Sequence, residues 1–229
     1  VTTLEPHLLR IGGLQVPIGE AQAWVAAYTT SDLSQETPYA YPAYDLYQGG
    51  SGLPDVLDDA DLLAPVLLNV AISIRSFYAL QANRPQLQKS LSRGELATPL
   101  ADLSDDQVDD LIGDLFAVLD TRGALPGIGV TKLSKVLHRK RPATIPLHDR
   151  WVRACYVGEG FPVPRAKRRS YRRYMTLLAQ AMRRDLREQP EQVAALRSAS
   201  GAEPALTDLR LLDIVAWHAG QRPDDFRRS

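Results

Sequence analysis

Between two stretches of helical periodicity the chain reads Leu125-Pro126-Gly127-Ile128-Gly129, and those five residues constrain the fold more than any others. Upstream, Ser104-Asp105-Asp106-Gln107 is a capping box, followed by the apolar stripe Val108, Leu111, Ile112, Leu115, Phe116 and Leu119. Downstream, Leu133, Val136 and Leu137 give a second amphipathic helix. Two glycines around one apolar residue permit a tight interhelical turn, because glycine tolerates positive φ and close backbone approach. Ile128 is predicted to plug inward, leaving the amides of the turn and of the second helix facing out. Free N–H groups at the positive end of a helix dipole suit a phosphate. The stretch Leu125–Leu137 therefore reads as a helix-hairpin-helix, with Gly127, Gly129, Thr131, Lys132 and Lys135 as contacts to the DNA backbone. The plainer alternative is a glycine-rich turn between two helices.

Helical patterning continues along most of the chain. Glu20–Thr29 has Ala21, Trp24, Val25 and Tyr28 on one face, and Asp58–Leu80 carries Leu62, Leu63, Val66, Leu67, Val70 and Ile74 at helical spacing. Pro65 lies too deep for a first-turn proline if Asp58 is the cap, which predicts a kink or a later start there. Pro38 to Pro54, rich in Tyr, Gly and Pro, reads as a long loop or ordered linker. Arg169–Arg187 is a basic helix, and a last helix begins near Thr207. No alternating pattern predicts a strand, and no repeat is visible. An all-α fold is expected, one helical domain over 1–229 in two lobes: about 1–104 with 205–229, and 105–204.

Charge is uneven although the net is +0. Residues 1–130 hold 6 Lys/Arg against 17 Asp/Glu, whereas 131–190 hold 16 against 4. That asymmetry is what a one-sided polyanion-binding surface leaves in a sequence, or two halves that neutralise each other. The densest run includes Arg165, Lys167, Arg168, Arg169, Arg172 and Arg173, all candidate phosphate contacts, interleaved with Tyr171 and Tyr174. The single cysteine, Cys155, excludes an internal disulfide and a cysteine-based zinc or iron–sulfur site, and the four histidines have no ligand spacing. No metal is expected, and no cofactor beyond a monovalent cation that the hairpin could hold. No run spans a membrane and residues 1–5 lack a signal-peptide layout, so a cytoplasmic, nucleoid-associated monomer is expected, with no membrane partner.

The hairpin and the segment Pro142–Val152 that follows it resemble the helix-hairpin-helix DNA glycosylase superfamily of endonuclease III-like and 8-oxoguanine glycosylases. The resemblance covers about Asp105–Tyr156 and implies a two-lobed helical fold with the site between the lobes. It also implies that Asp149, 20 residues after Gly129, is the catalytic aspartate that supports cleavage of the N-glycosidic bond. Glycosylases of this kind that nick the strand carry a lysine where this chain has Thr131, with Lys132 about a quarter turn away, so no lyase step is expected. The wider chain is similar to a bacterial family of unassigned function on the words Tyr44-Asp45, Asp61–Asn69 and Lys140-Arg141-Pro142.

Each candidate has a second reading. His148 could orient water or serve as a hydrogen-bond partner, and Asp149 could pair with Arg150 and act as a helix cap. Tyr39, Tyr41, Tyr44 and Tyr47 of the tyrosine-rich loop, with Asp45 and with Trp151, could wall a base pocket, or the loop tyrosines could pin the loop to the core. The expectation is a DNA-binding protein acting on duplex DNA as a monofunctional N-glycosylase in repair, by base flipping. The alternative is a non-catalytic helix-hairpin-helix protein for damage recognition or phage defence.

Overall fold

The computed structural model describes residues 8–30 and 39–227, and these are mostly helical. Residues 1–5 and Pro38, where the tyrosine-rich loop is expected to begin, lie outside the described residues. Contrary to expectation the described chain opens on an antiparallel pair, β1 (Leu8–Ile11) and β2 (Leu14–Pro17), with Leu9 opposite Val16 and Ile11 opposite Leu14. Gly12-Gly13 closes the two-residue turn, Gly12 at φ +62 with the Cys155 carbonyl where a Cβ would stand. Those four apolar side chains are fully buried, so the strands persist by packing on helices rather than by their length.

Helix α1 (Ile18–Thr29) follows directly. The expected helix Asp58–Leu80 is broken in two. Asp58 caps a short α2 (Asp59–Leu63), which tightens into a 3-10 turn (Ala64–Leu68) with Pro65 in its first turn. Asn69 then turns left-handed at φ 56, and Ser73 caps a new α3 (Ile74–Leu91). Proline cannot donate to the turn before it, and the chain restarts the helix instead of kinking it.

The Ser104–Gln107 capping box forms as predicted and opens one long helical run. It comprises α4 (Asp105–Val108), a π-helical turn (Asp109–Gly113), α5 (Asp114–Ala117) and a 3-10 turn (Val118–Asp120). The π turn faces α8 (Tyr171–Arg187), where Asp109 receives Arg172 at 2.7 Å and Thr176 at 2.8 Å. Gly113 is required there, since a Cβ would meet the Thr176 hydroxyl at 2.8 Å. Past the glycine turn come α6 (Val130–His138) and α7 (Arg150–Tyr156); beyond α8, α9 (Pro190–Ala199) and α10 (Asp208–Ala219) complete the fold. Helix α10 is buried from Leu209 to Ala216 and packs on α1, α7 and α9. Its end comes so close to α7 that a Cβ on Gly220 would strike the Trp151 carbonyl. One continuous apolar core joins residues of both expected lobes, from Leu9 to Phe226.

Candidate active site

The glycine turn sits as its sequence demands. Gly127 takes φ +74, Ile128 is buried, and Ile128 N–H donates to Leu125 O at 3.1 Å. Gly129 precedes α6 without a side-chain cap, so the first amides of α6 have no side-chain acceptor. Lys132 folds back onto the turn, its Nζ donating to Gly127 O at 2.9 Å, and Ser76 Oγ donates to the same carbonyl at 3.2 Å.

The start of α6 forms one wall of a groove of about 820 Å³. Lys132, Arg153, Arg165, Lys167 and Arg169 line it, with no carboxylate among the described lining residues. The first half of the basic run is loop rather than helix, because Ser170 caps α8 and the helix begins at Tyr171 instead of Arg169. Arg165, Lys167 and Arg168 are exposed, and Arg169 donates to Pro164 O at 2.8 Å. Arg172 is committed elsewhere, to Asp109 and Asp114, and neither it nor exposed Arg173 lines the groove. Five neighbouring cations without an acidic partner among the described residues raise a positive potential, which an anion would relieve.

His148 lies at the back of this groove between two hydroxyls. Its Nδ1 is 3.1 Å from Thr131 Oγ1 and its Nε2 is 2.9 Å from Tyr174 Oη. Burial pushes its pKa down to about 4, with Asp149 opposing that shift, so the ring is neutral near pH 7. A neutral imidazole linking two hydroxyls can pass or orient a proton but adds no charge to the groove.

Thr131 and Val70 also line a second cavity, of about 800 Å³. Tyr28, Tyr39, Trp151 and Trp217 give it aromatic walls. Asp149 stands in it as the N-cap of α7, with Oδ1 accepting from Trp151 N at 2.8 Å and Val152 N at 2.9 Å. Its Oδ2 has no hydrogen-bond partner among the described residues, and Arg150 lies over the Trp151 ring at 4.2 Å instead of pairing with it. Both readings of Asp149 therefore meet in one side chain: one oxygen caps, the other is open to the cavity.

The cavity floor is ionic. Arg210 is held by Asp45 at 2.6 Å, by Tyr28 Oη at 2.5 Å and by Asp213. Burial raises Asp213 to about 6, against the pull of Arg210. Lys135 also enters this cavity, not the groove, because it lies four residues and one helical turn beyond Thr131 on the same face. Its assignment to backbone phosphate is thus corrected: at 4% exposure it cannot reach a duplex surface.

The loop tyrosines mostly serve the core. Tyr44 is buried and donates to Lys135 O at 2.7 Å, Asp45 is spent on Arg210, and Tyr47 lies under Arg139 at 4.8 Å. None of the three lines the large cavity, which corrects their place in a base pocket; Trp151 does line it. Tyr39, expected with them, does line it, joined by Tyr28 and Trp217, which the sequence did not assign to it although each carried a signal. Tyr28 sits on the apolar face of α1, and Trp217 falls one turn after Asp213 on α10.

Among the described residues no three His, Cys, Asp or Glu side chains are grouped to hold a metal, and no helix is long and apolar enough to cross a membrane. What fold and site define is a mostly helical protein with a cationic groove opening beside an aromatic, carboxylate-bearing cavity. The chain belongs to a family of unknown function (DUF6308), whose model matches residues 21–220 and so includes both the groove and the cavity. No curated protein and no solved structure matches it.

Proposed function

We propose that this protein is a DNA N-glycosylase that seats the strand's phosphates in the cationic groove and a flipped, modified base in the aromatic cavity. The observation that carries the reading is the Oδ2 of Asp149, without a hydrogen-bond partner among the described residues, in a cavity that shares Thr131 with a groove whose described lining holds no carboxylate. Aromatic side chains hold an extruded base by stacking, and a cavity of this size takes a nucleobase with its sugar. The unpaired cations and uncapped amides of α6 suit the backbone, in keeping with the resemblance of the glycine turn to a helix-hairpin-helix.

The chemistry needs few groups. The C1′–N bond breaks, its electron pair leaves with the base, and the base takes up a proton. Positive charge develops on the sugar, where the Asp149 carboxylate stabilises it in surroundings that exclude most water. Water then adds at C1′ and gives up a proton to that carboxylate. The neutral His148 between Thr131 and Tyr174 positions hydroxyls at the boundary of groove and cavity.

Asp149→Asn is the informative variant, because asparagine caps a helix about as well as aspartate and the start of α7 should survive. Parent and variant would be incubated with duplexes carrying alkylated, oxidised, deaminated and bulky bases, and abasic sites revealed with alkali. Release by the parent and none by the variant is expected. No release by either, with duplex binding intact, would leave the non-catalytic DNA-binding reading in its place.

A further inference from the structure

The chain has five lysines, and four of them are accounted for. Lys89 and Lys167 are exposed, Lys132 donates to Gly127 O, and Lys140 is ion-paired with Asp61 at 2.6 Å. Lys135 differs from all four. It is 4% exposed, lines the aromatic cavity, and its Nζ makes no hydrogen bond or ion pair with any described residue. A long charged side chain is rarely buried without a partner, and an ammonium so placed gives up its proton more readily. Here desolvation lowers its pKa first, with Asp149 and Asp213 pulling the other way and nearby Arg210 adding to the lowering.

The geometry points to a use: we propose that Lys135 is an amine nucleophile for an aldehyde bound in this cavity. An amine that sheds its proton more readily, in a cavity with carboxyl groups at hand, suits imine formation. The Nζ lone pair attacks the carbonyl carbon, and the carbonyl electrons move to oxygen, which takes a proton. The resulting carbinolamine loses that oxygen as water while nitrogen gives up its protons, Asp149 or Asp213 carrying them. A carbon–nitrogen double bond and one water molecule are the products, with no oxidant or reductant needed. Thr131, which presents no amine, directs attention away from this helix in sequence; one turn on, the same face presents Lys135. The inference goes beyond base removal and does not depend on it, because the aldehyde could be the opened sugar of an abasic site or a free small molecule.

Both sources can be supplied directly to the full-length protein at neutral pH with cyanoborohydride, which reduces an imine to a stable amine. One arm uses propanal, the other a duplex with a pre-formed abasic site, and peptide mass spectrometry locates the adduct. A lowered pKa raises the free-amine fraction at a given pH, so propanal should modify Lys135 faster than exposed Lys89. Lys135→Met, which keeps the length of the side chain and removes the buried charge, should lose the cross-link to abasic DNA. Adducts in both arms place the aldehyde on a DNA strand, and adducts with propanal alone place it on a free molecule. Labelling of Lys135 no faster than Lys89, with no cross-link to abasic DNA, would overturn the proposal whether or not the protein releases bases.

Discussion

The groove and the cavity adjoin at Thr131 yet handle positive charge in opposite ways. In the groove, Arg153, Arg165 and Lys167 stand without an ion pair among the described residues, where water can solvate them. In the cavity floor, Arg210 is held by two carboxylates and a phenol. The difference follows from solvation. Exposed cations need no partner, whereas a buried guanidinium without one would carry a desolvation penalty of several kcal/mol. The groove's charges are thus available to a ligand, and those of the floor are consumed by the fold. Lys135, buried and without an ion pair among the described residues, follows neither rule.

The largest effect should come from breaking the floor. Arg210→Met leaves Asp45 and Asp213 buried without their counter-charge, and a loss of about 3–5 kcal/mol in urea unfolding is expected. A loss below about 1 kcal/mol would show that the floor is not the structural element described.

Acid should unmake the interior next. His148 and His138 are pushed by burial from 6.5 down to about 4 and about 3. The unfolded chain therefore binds these protons first, so their contribution is complete above about pH 6.5 and is lost as pH falls towards 4. Asp213, raised from 3.8 to about 6, works in the other direction over its own window, holding its proton in the fold as pH drops. Two histidines outweigh one carboxyl, and the urea midpoint should fall from pH 6.5 to pH 4, less steeply in His148→Gln. A midpoint that rises over that interval would contradict the buried, neutral imidazoles.

The smallest effect on stability belongs to the groove. Arg165→Gln with Lys167→Gln should leave urea unfolding within about 0.5 kcal/mol of the parent. The slope of log affinity for duplex against log salt should nevertheless shrink by about 0.9 for each phosphate contact removed. An unchanged slope would take the DNA backbone out of the groove.

Much of this was legible in the sequence. The Ser104–Gln107 box, the Thr207 cap and the inward turn of Ile128 are local events, fixed by residues within one helical turn of each other. What escaped depended on distant partners. Strands β1 and β2 have four residues each and hold only because helices cover Leu9, Ile11, Leu14 and Val16; Gly12-Gly13 was the available signal. The basic run looked uniform, but Asp109 and Asp114 across the interface took Arg172 out of it. Spacing placed Lys135 near Lys132 along α6, and only the packed fold shows that the two open into different spaces. Tyr44 and Tyr47 followed the usual fate of loop tyrosines, while Trp217, remote in sequence, reached the cavity.

In the proposed reaction groove and cavity divide one task, backbone to the first and base to the second, with Asp149 at the reacting sugar. Single-turnover base release by parent and Asp149→Asn, with duplex affinity read in the same samples, tests it most directly. Removing the carboxylate should slow release by about 10²–10³-fold or more while affinity and its salt slope stay as in the parent. Equal release by the two proteins, or an affinity that falls in step with release, would contradict the division.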